Sequence, residues 1–495
     1  MVVVGAGVYG QGMDTSPADP DAPLDRLKVL LDLLLQHQPA SAGTPLATAL
    51  AEHLGGPPHE MAVLSEEVQN HRFVDYDIAL DAIASRDPAN DVIGIGGGES
   101  RYHVNLPDMI QPGGGYGRFP VAQVDYANVA TGPDSERAAI AMGIRRFAYA
   151  CVPVAVLVRR ALPGRGRGLA TLEVLCADRT VSAALLEEVR ELSLTRSVLR
   201  GAVVSLASSG YEMTEEGLTF IARPQLRADQ VVLPEGVLER VVDHVAGIAA
   251  HAPELKRLGQ HLKRGLLLYG PPGSGKTHTV RYLLGVTPDH TVVLLAGETL
   301  RFVGLAAKLA RAMQPALVVL EDCDLIAEDR DMSYGAKPLL FEVLDAMDGL
   351  DADADVTFVL TTNRVDAMER ALTQRPGRVD LAVEVPLPDA AGRLALLRLY
   401  APEGAFSEDV LADTAHRTSG TTASFSRELI RRAVLHAAKD GVAPGDRHLH
   451  EATSEILADG ERLSRALLGA GGEEKSGMSV DRMPRVRPGD GEVYC

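Results

Sequence analysis

The sequence predicts an α/β chain: a parallel sheet covered by helices at its centre, an all-helical lid after it, and an α+β region before it. Three observations carry this. The apolar runs GLLLYG, TVVLLAG, ALVVLED, VTFVLTTN and LAVEVPLP are separated by segments with helical periodicity. Strands alternating with helices at this spacing form a parallel sheet buried on both faces. The run Gly270-Pro271-Pro272-Gly273-Ser274-Gly275-Lys276-Thr277 joins the first of those strands, Gly265 to Tyr269, to a helix from Lys276 to Leu284. After Pro388 only helical patterns remain, in AGRLALLRLY, SRELIRRAVLHAAKD and HEATSEILADGERLSRALL.

Composition sets the outer limits. A chain of 495 residues, with 46% hydrophobic and 23% charged residues, is globular and too long for one core. Its net charge of −18 disfavours a nucleic-acid or anionic-membrane partner. Four scattered cysteines, Cys151, Cys176, Cys323 and Cys495, form no C-x-x-C pair, which points to a reducing compartment without a zinc or disulfide framework. The longest apolar run, FAYACVPVAVLV from Phe147, is too short to span a bilayer and contains a proline. No signal-peptide pattern opens the chain, so a cytoplasmic, membrane-free location is expected.

Taken in order, residues 1–20 read as a flexible leader. The opening Gly5-Ala6-Gly7-Val8-Tyr9-Gly10 matches G-x-G-x-x-G, but only four residues precede it and prolines follow, so the strand and helix that pattern needs are missing. Residues 21–132 form a helical and loop-rich region, with helical periodicity in DRLKVLLDLLLQH and LATALAEHL. From Ile93 to about Gly132, glycine and proline dominate, and the stretch is either a loop-rich subdomain or a linker. Residues 133–230 form an α+β adaptor: strand-like FAYACVPVAVLVRR, LATLEVLCA, VLRGAVVSLAS and GLTFIARP surround the amphipathic helix VSAALLEEVRELSL. Residues 231–388 are the sheet-and-helix core, 389–468 the helical lid, and 469–495 a Gly, Glu, Arg and Pro-rich tail expected to be disordered.

The chemistry concentrates in the core. Gly270 to Thr277 is G-x-x-x-x-G-K-[ST], a P-loop in its required strand–loop–helix context. Its glycines let successive N–H groups converge on phosphate oxygens. Lys276 would reach the β- and γ-phosphates of ATP, Thr277 would ligate Mg²⁺, and His278 continues the nucleotide-binding run. The strand Ala316 to Leu320 ends in Glu321 and Asp322, two carboxylates suited to holding a metal and polarising an attacking water.

Around this pair the chain resembles the AAA family of ATPases, from about Val231 to Gly469. GPPGSGKT, GETLRFVG, LEDCDLIAEDR, LDAMDGL, TTNRVD and RPGRVD stand in that family's order and spacing. The resemblance implies a P-loop NTPase core working as an oligomeric ring, a hexamer, that spends ATP to remodel or unfold a protein client. It implies that Glu321 holds the metal with Thr277, that Asp322 is the general base, and that Asn363 positions the lytic water. Arg375 and Arg378 would be arginine fingers reaching a neighbouring subunit's γ-phosphate. A guanidinium, planar and permanently charged, suits that task. Phe302 and Val303, after the second core strand, occupy the family's polypeptide-gripping pore loop; the alternative is that Phe302 packs beneath the following helix.

The family usually has Asp then Glu at the strand end, whereas this chain has Glu321 then Asp322. The same order occurs in AAA proteins similar to the mitochondrial complex III assembly factor, so activity is expected to survive. Asp324 is a rival base beyond the strand end. The final Val493-Tyr494-Cys495 resembles the docking signal of proteasome-activating ATPases, which would make a 20S proteasome a partner. Against this, the N-terminal part shows no sustained heptads.

Other motifs lead elsewhere or nowhere. His450-Glu451-Ala452-Thr453-Ser454 and His59-Glu60-Met61-Ala62-Val63 lack the second histidine of a zinc protease. Arg159-Arg160 followed by GRGRG reads as a solvated turn rather than a nucleic-acid contact. Two functions of other classes remain open: a nucleotide-dependent scaffold with little turnover, and a nucleic-acid-directed ATPase, which the acidity opposes.

Overall fold

The computed structural model describes residues 43–112, 119–162, 168–208, 216–323, 345–347, 349, 353–364 and 379–458. Two seven-stranded sheets organise them. The first is antiparallel and holds β1 (Ala62–Val68), β2 (Asp91–Ile95), β3 (Val121–Ala122), β4 (Asp125–Gly132), β5 (Ser135–Tyr149), β6 (Val152–Arg159) and β7 (Ala170–Cys176). Its order is β1-β7-β6-β5-β2-β3, with β4 also paired to β5.

Side chains of β6 alternate between two cores. Val154, Val156 and Val158 face helices α2 (Phe73–Ala84) and α3 (Arg179–Thr195), meeting Leu80, Ile83, Leu185 and Val189. Ala155 and Leu157 face α1 (Leu46–Leu54), packing with Leu46 and Leu50. Burial on both faces explains why β6 reads as an unbroken apolar run.

Two expected boundaries are corrected here. The stretch from Ile93, left as linker or subdomain, supplies the end of β2 and all of β3 and β4, so a division at 132/133 cuts the β4–β5 hairpin. Its glycines serve close backbone approach instead of looseness. A Cβ on Gly94 would lie 1.8 Å from the Gln123 carbonyl oxygen, and one on Gly96 would lie 2.8 Å from Pro120. The division at 230/231 also fails, because β8 (Val203–Ser208) and β9 (Glu216–Ile221) belong to the second sheet. An apolar run does not say which of two sheets it joins, and β8 pairs with a strand about ninety residues later in the chain.

That sheet continues with β10 (Arg264–Tyr269), β11 (Thr291–Ala296), β12 (Ala316–Glu321), β13 (Val356–Thr362) and β14 (Leu381–Glu384). The order is β14-β10-β13-β12-β11-β8-β9, parallel throughout except for β9. Helices α4 (Lys276–Val286) and α5 (Val303–Ala312) cover it, and Leu283 and Leu284 sit in one core while Ala306 and Ala310 sit in the other. The lid comprises α6 (Ala390–Tyr400), α7 (Glu408–Arg417), α8 (Ala423–Asp440) and α9 (Asp446–Leu457), packed around Leu397, Phe425, Leu429 and Leu449. Asp389, Ser407 and Thr422 cap the first three of these helices by accepting backbone N–H groups. Among the described residues, no helix is long and apolar enough to cross a membrane.

The two sheets are joined by one buried carboxylate. Asp75 of α2, 1% exposed, accepts from the Ser197 hydroxyl at 2.7 Å, the Val198 N–H at 2.9 Å and the Arg72 Nε at 2.8 Å. Residues 197 and 198 lead directly into Leu199, which packs in the core of the second sheet with Val204 and Leu206. Burial pushes the Asp75 carboxyl above its usual range despite these partners. Asp75→Ala should leave the Arg72 Nε and the Val198 N–H without an acceptor and destabilise the protein by about 3 kcal/mol. A urea midpoint equal to that of the unaltered protein would contradict this role.

Candidate nucleotide site

The parallel register brings the motif residues to one edge. Tyr269 lies beside Thr362 and Leu320 beside Leu360, so β10, β12 and β13 end together, with their C-terminal ends at one crevice. Gly270 leaves β10 with φ of 151° and its N–H donates to the Thr362 carbonyl at 3.3 Å. A Cβ here would stand 2.2 Å from the Val385 carbonyl oxygen, so the loop can leave the sheet only through glycine. Gly273 and Gly275 follow at φ of 74° and 120°, and the chain enters α4 at Lys276.

Lys276 is 6% exposed. Its Nζ donates to the Gly270 carbonyl at 2.8 Å, the Pro271 carbonyl at 2.9 Å and the Asn363 Oδ1 at 2.8 Å. These three acceptors are neutral oxygens of the loop and of the chain that follows β13. The Ser274 hydroxyl beside it is buried and has no partner among the described residues. An orphaned hydroxyl, a buried ammonium and the N–H groups at the start of a helix fit a phosphate chain.

The expected metal pair also meets. The exposed Thr277 hydroxyl donates to the half-buried Glu321 carboxylate. Burial, then the neighbouring Asp322 carboxylate, pushes the Glu321 carboxyl above its usual range, and Arg281 and Thr277 oppose the shift. A carboxylate beside a hydroxyl supplies hard oxygen donors of the kind Mg²⁺ takes. Asp322 is exposed, with φ of 55°, in the left-handed region that aspartate tolerates better than most side chains. Its N–H donates to the Thr361 Oγ1 at 3.0 Å and the next N–H, of Cys323, to the Thr361 carbonyl at 2.9 Å.

His278 turns away from the loop, and its Nε2 lies 3.0 Å from the Gln230 carbonyl. It helps line a cavity of about 30 Å³ with Val232, Leu233, Thr279, Leu396 and Tyr400. Phe302 is half-buried against the core, with the Arg301 guanidinium 4.9 Å from its ring centre. Val303 is 1% exposed within that core, so its expected role in gripping substrate is corrected: it is the first inward residue of α5. Asp324, Arg375, Arg378 and Val493-Tyr494-Cys495 lie outside the described residues, as does the opening G-x-G-x-x-G run.

One contact was not expected from the sequence. The Ser424 N–H, in the first turn of lid helix α8, donates to the Gly273 carbonyl at 3.2 Å, and a Cβ on Gly273 would stand 3.0 Å from the Ser424 Oγ. The signal was present in Thr422-Ala423-Ser424, an N-cap pattern, but capping alone does not say what the helix end faces.

Residues 266–387 match the family described as ATPase family associated with various cellular activities (AAA). The chain is 30% identical over 251 residues to a proteasome-activating nucleotidase of Methanoculleus marisnigri, covering 48% of this chain and 60% of the relative. It is 33% identical over 270 residues to the ATP-dependent zinc metalloprotease FtsH 3 of Sphaerobacter thermophilus, covering 51% and 54%. A cell division cycle protein 48 homolog of Archaeoglobus fulgidus is 30% identical over 230 residues, covering 44% and 31%. The chain thus spans less than two thirds of each of these curated relatives.

Gly270→Ala should destabilise the sheet-and-lid unit by about 3 kcal/mol or more, because the Val385 carbonyl must move to admit the methyl group. Gly275→Ala, where no atom lies within 4 Å of the added Cβ, should carry only the backbone strain of its φ. Thermal melts of the two variants without nucleotide check this, and equal melting temperatures would contradict the steric assignment.

Proposed function

We propose that this chain, whose residues 266–387 are an AAA ATPase domain, binds ATP with Mg²⁺ between its sheet and lid, hydrolyses it, and uses the cycle to remodel or unfold a protein partner. The convergence of Lys276, Asn363, Thr277 and Glu321 at one sheet edge carries the proposal. Lys276 would exchange carbonyl oxygens for phosphate oxygens, a charge-assisted bond of greater strength. Thr277 and Glu321 would hold Mg²⁺, which supplies neutralisation of the phosphate charge when bound. Asp322, one residue further and exposed, would accept the proton of the attacking water, while Asn363 orients that water.

The lid gives the cycle a moving part. A cavity of about 30 Å³ holds no more than a water or two. A purine would enter that slot only if α6 and α8 swing away from α4, breaking the Ser424–Gly273 hydrogen bond. The lid would then report nucleotide occupancy mechanically. Arg375 and Arg378 would complete the site of a neighbouring copy, which makes a ring, a hexamer by family resemblance, part of the proposal. Phe302 is the substrate-contacting candidate, at a half-buried position that closes one end of α5. The relatives, a proteasome-activating nucleotidase and a cell division cycle protein 48 homolog among them, support a protein-directed motor.

Asp322→Asn should retain ATP binding and lower turnover about a hundredfold or more, because an amide cannot accept the water's proton. Glu321→Gln should weaken the Mg²⁺ dependence of binding. Fluorescent-nucleotide titration and phosphate release measure the two. Normal turnover in Asp322→Asn with trapped ATP in Glu321→Gln would reverse the assignments, and negligible turnover in the unaltered protein with ATP-driven assembly would make it a scaffold.

A further inference from the structure

The strand end that carries the two carboxylates bends within three residues. Leu320 of β12 is buried in the core of the second sheet, and Cys323 returns to that core at 1% exposure. The Cys323 Sγ donates to the Leu320 carbonyl at 3.4 Å. Glu321 and Asp322 form the crest of this bend, the first half-buried and the second exposed. The bend is made with Asp322 at φ of 55°. Most side chains avoid that region because Cβ crowds the following carbonyl, and such an outlier persists only where its surroundings hold it.

One residue holds it from the neighbouring strand. Thr361 of β13, 1% exposed, receives two consecutive N–H groups from the bend. Its carbonyl accepts from the Cys323 N–H at 2.9 Å, and its Oγ1 accepts from the Asp322 N–H at 3.0 Å. Any residue supplies the carbonyl, but the second acceptor exists only because this side chain is a hydroxyl. Valine has nearly the same shape and would suit the strand. Val359 and Leu360 precede Thr361, and Leu268 lies beside it in β10, all three buried in apolar cores. Packing alone therefore gives no reason for threonine here. Two residues further on, Asn363 meets Lys276. The end of β13 thus touches both the P-loop and the carboxylate pair.

We propose that Thr361 is a positioning residue for hydrolysis: its hydroxyl fixes the Asp322 backbone in the left-handed turn and so aims the Asp322 carboxylate at the attacking water. This assignment rests on Asp322 being the base, as the function above has it. An aspartate carries a single methylene between Cα and carboxyl. A change of its backbone conformation therefore passes to its oxygens with little room for the side chain to compensate. Without the hydroxyl, residue 322 is free to relax toward negative φ and swing its carboxylate aside. A general base works only within hydrogen-bond reach of its proton, and a displacement of about 1 Å costs up to about a hundredfold in rate.

The test is phosphate release by the full chain with ATP and Mg²⁺, together with fluorescent-nucleotide titration. Thr361→Val should lower kcat about tenfold or more, while KM and nucleotide affinity change less than about threefold, because the binding residues stay in place. Thr361→Ser keeps the hydroxyl and should remain within about threefold of the unaltered protein. In an Asp322→Asn background no base is left to aim, so Thr361→Val should change the residual turnover less than about twofold, the mark of residues acting as a unit. A general loss of structure would lower turnover in both backgrounds alike. Thr361→Ala removes the same hydroxyl and carries the same expectations if Thr361→Val melts at a much lower temperature. Normal kcat in Thr361→Val and Thr361→Ala, beside an impaired Asp322→Asn, overturns the proposal and leaves Asp322 as the base. Equal fractional losses in the two backgrounds also overturn it. Normal turnover in Asp322→Asn overturns the base itself, a separate failure read without any change at Thr361.

Discussion

A buried ammonium must be given oxygens, and the nucleotide site is arranged around that demand. Lys276 is supplied by the carbonyls of Gly270 and Pro271 and by the side chain of Asn363. The first two exist only because the loop doubles back over its own helix, which needs glycine at positive φ. The third arrives only because β13 lies beside β10 in parallel register, so that both strands end at the same level. One cation thus fixes the loop's curl and reports the register of two strands. Neutral oxygens hold an ammonium less strongly than phosphate oxygens do, so these acceptors would give way readily to a phosphate.

A second buried charge does comparable work at a distance. Asp75 belongs to a helix of the antiparallel sheet, yet two of its hydrogen bonds go to residues 197 and 198, which feed the parallel sheet. Arg200 and Gly201 continue the connection, donating to the Gln314 carbonyl and the Thr291 hydroxyl. The linker is therefore pinned at both ends. The sheets are thus linked by packed and hydrogen-bonded chain, not by a free hinge.

How much of this the sequence disclosed depended on whether a signal was local. The P-loop, the strand-end carboxylates and Asn363 are readable because each motif carries its own strand context, and five core strands follow from alternating apolar runs and helices. Pairing between distant segments was not readable. Nothing local in VLRGAVVSLAS distinguishes a strand of one sheet from a strand of the other. Gly94 looked like a loop residue because composition cannot tell flexibility from close approach; only the Gln123 carbonyl at 1.8 Å from a virtual Cβ does so. Val303 was misread for a related reason. An aromatic-hydrophobic-Gly pattern names a family position, whereas the inward turn of the second residue is set by the helix that begins there.

Arg159 and Arg160 show the limit most plainly. Arg159 is the last residue of β6 and Arg160 the first beyond it, and the two neighbours meet different environments. One is drawn into the Glu173 pair beneath the 104–106 segment, and the other reaches the space between the sheets. A run of basic residues averages these into a surface patch. The fold separates them into a structural cation and an available one. Arg160 lines that space together with Leu199, in the connection that Asp75 pins. Residues of both sheets line that space, at the point where the Asp75 hydrogen bonds already couple the two.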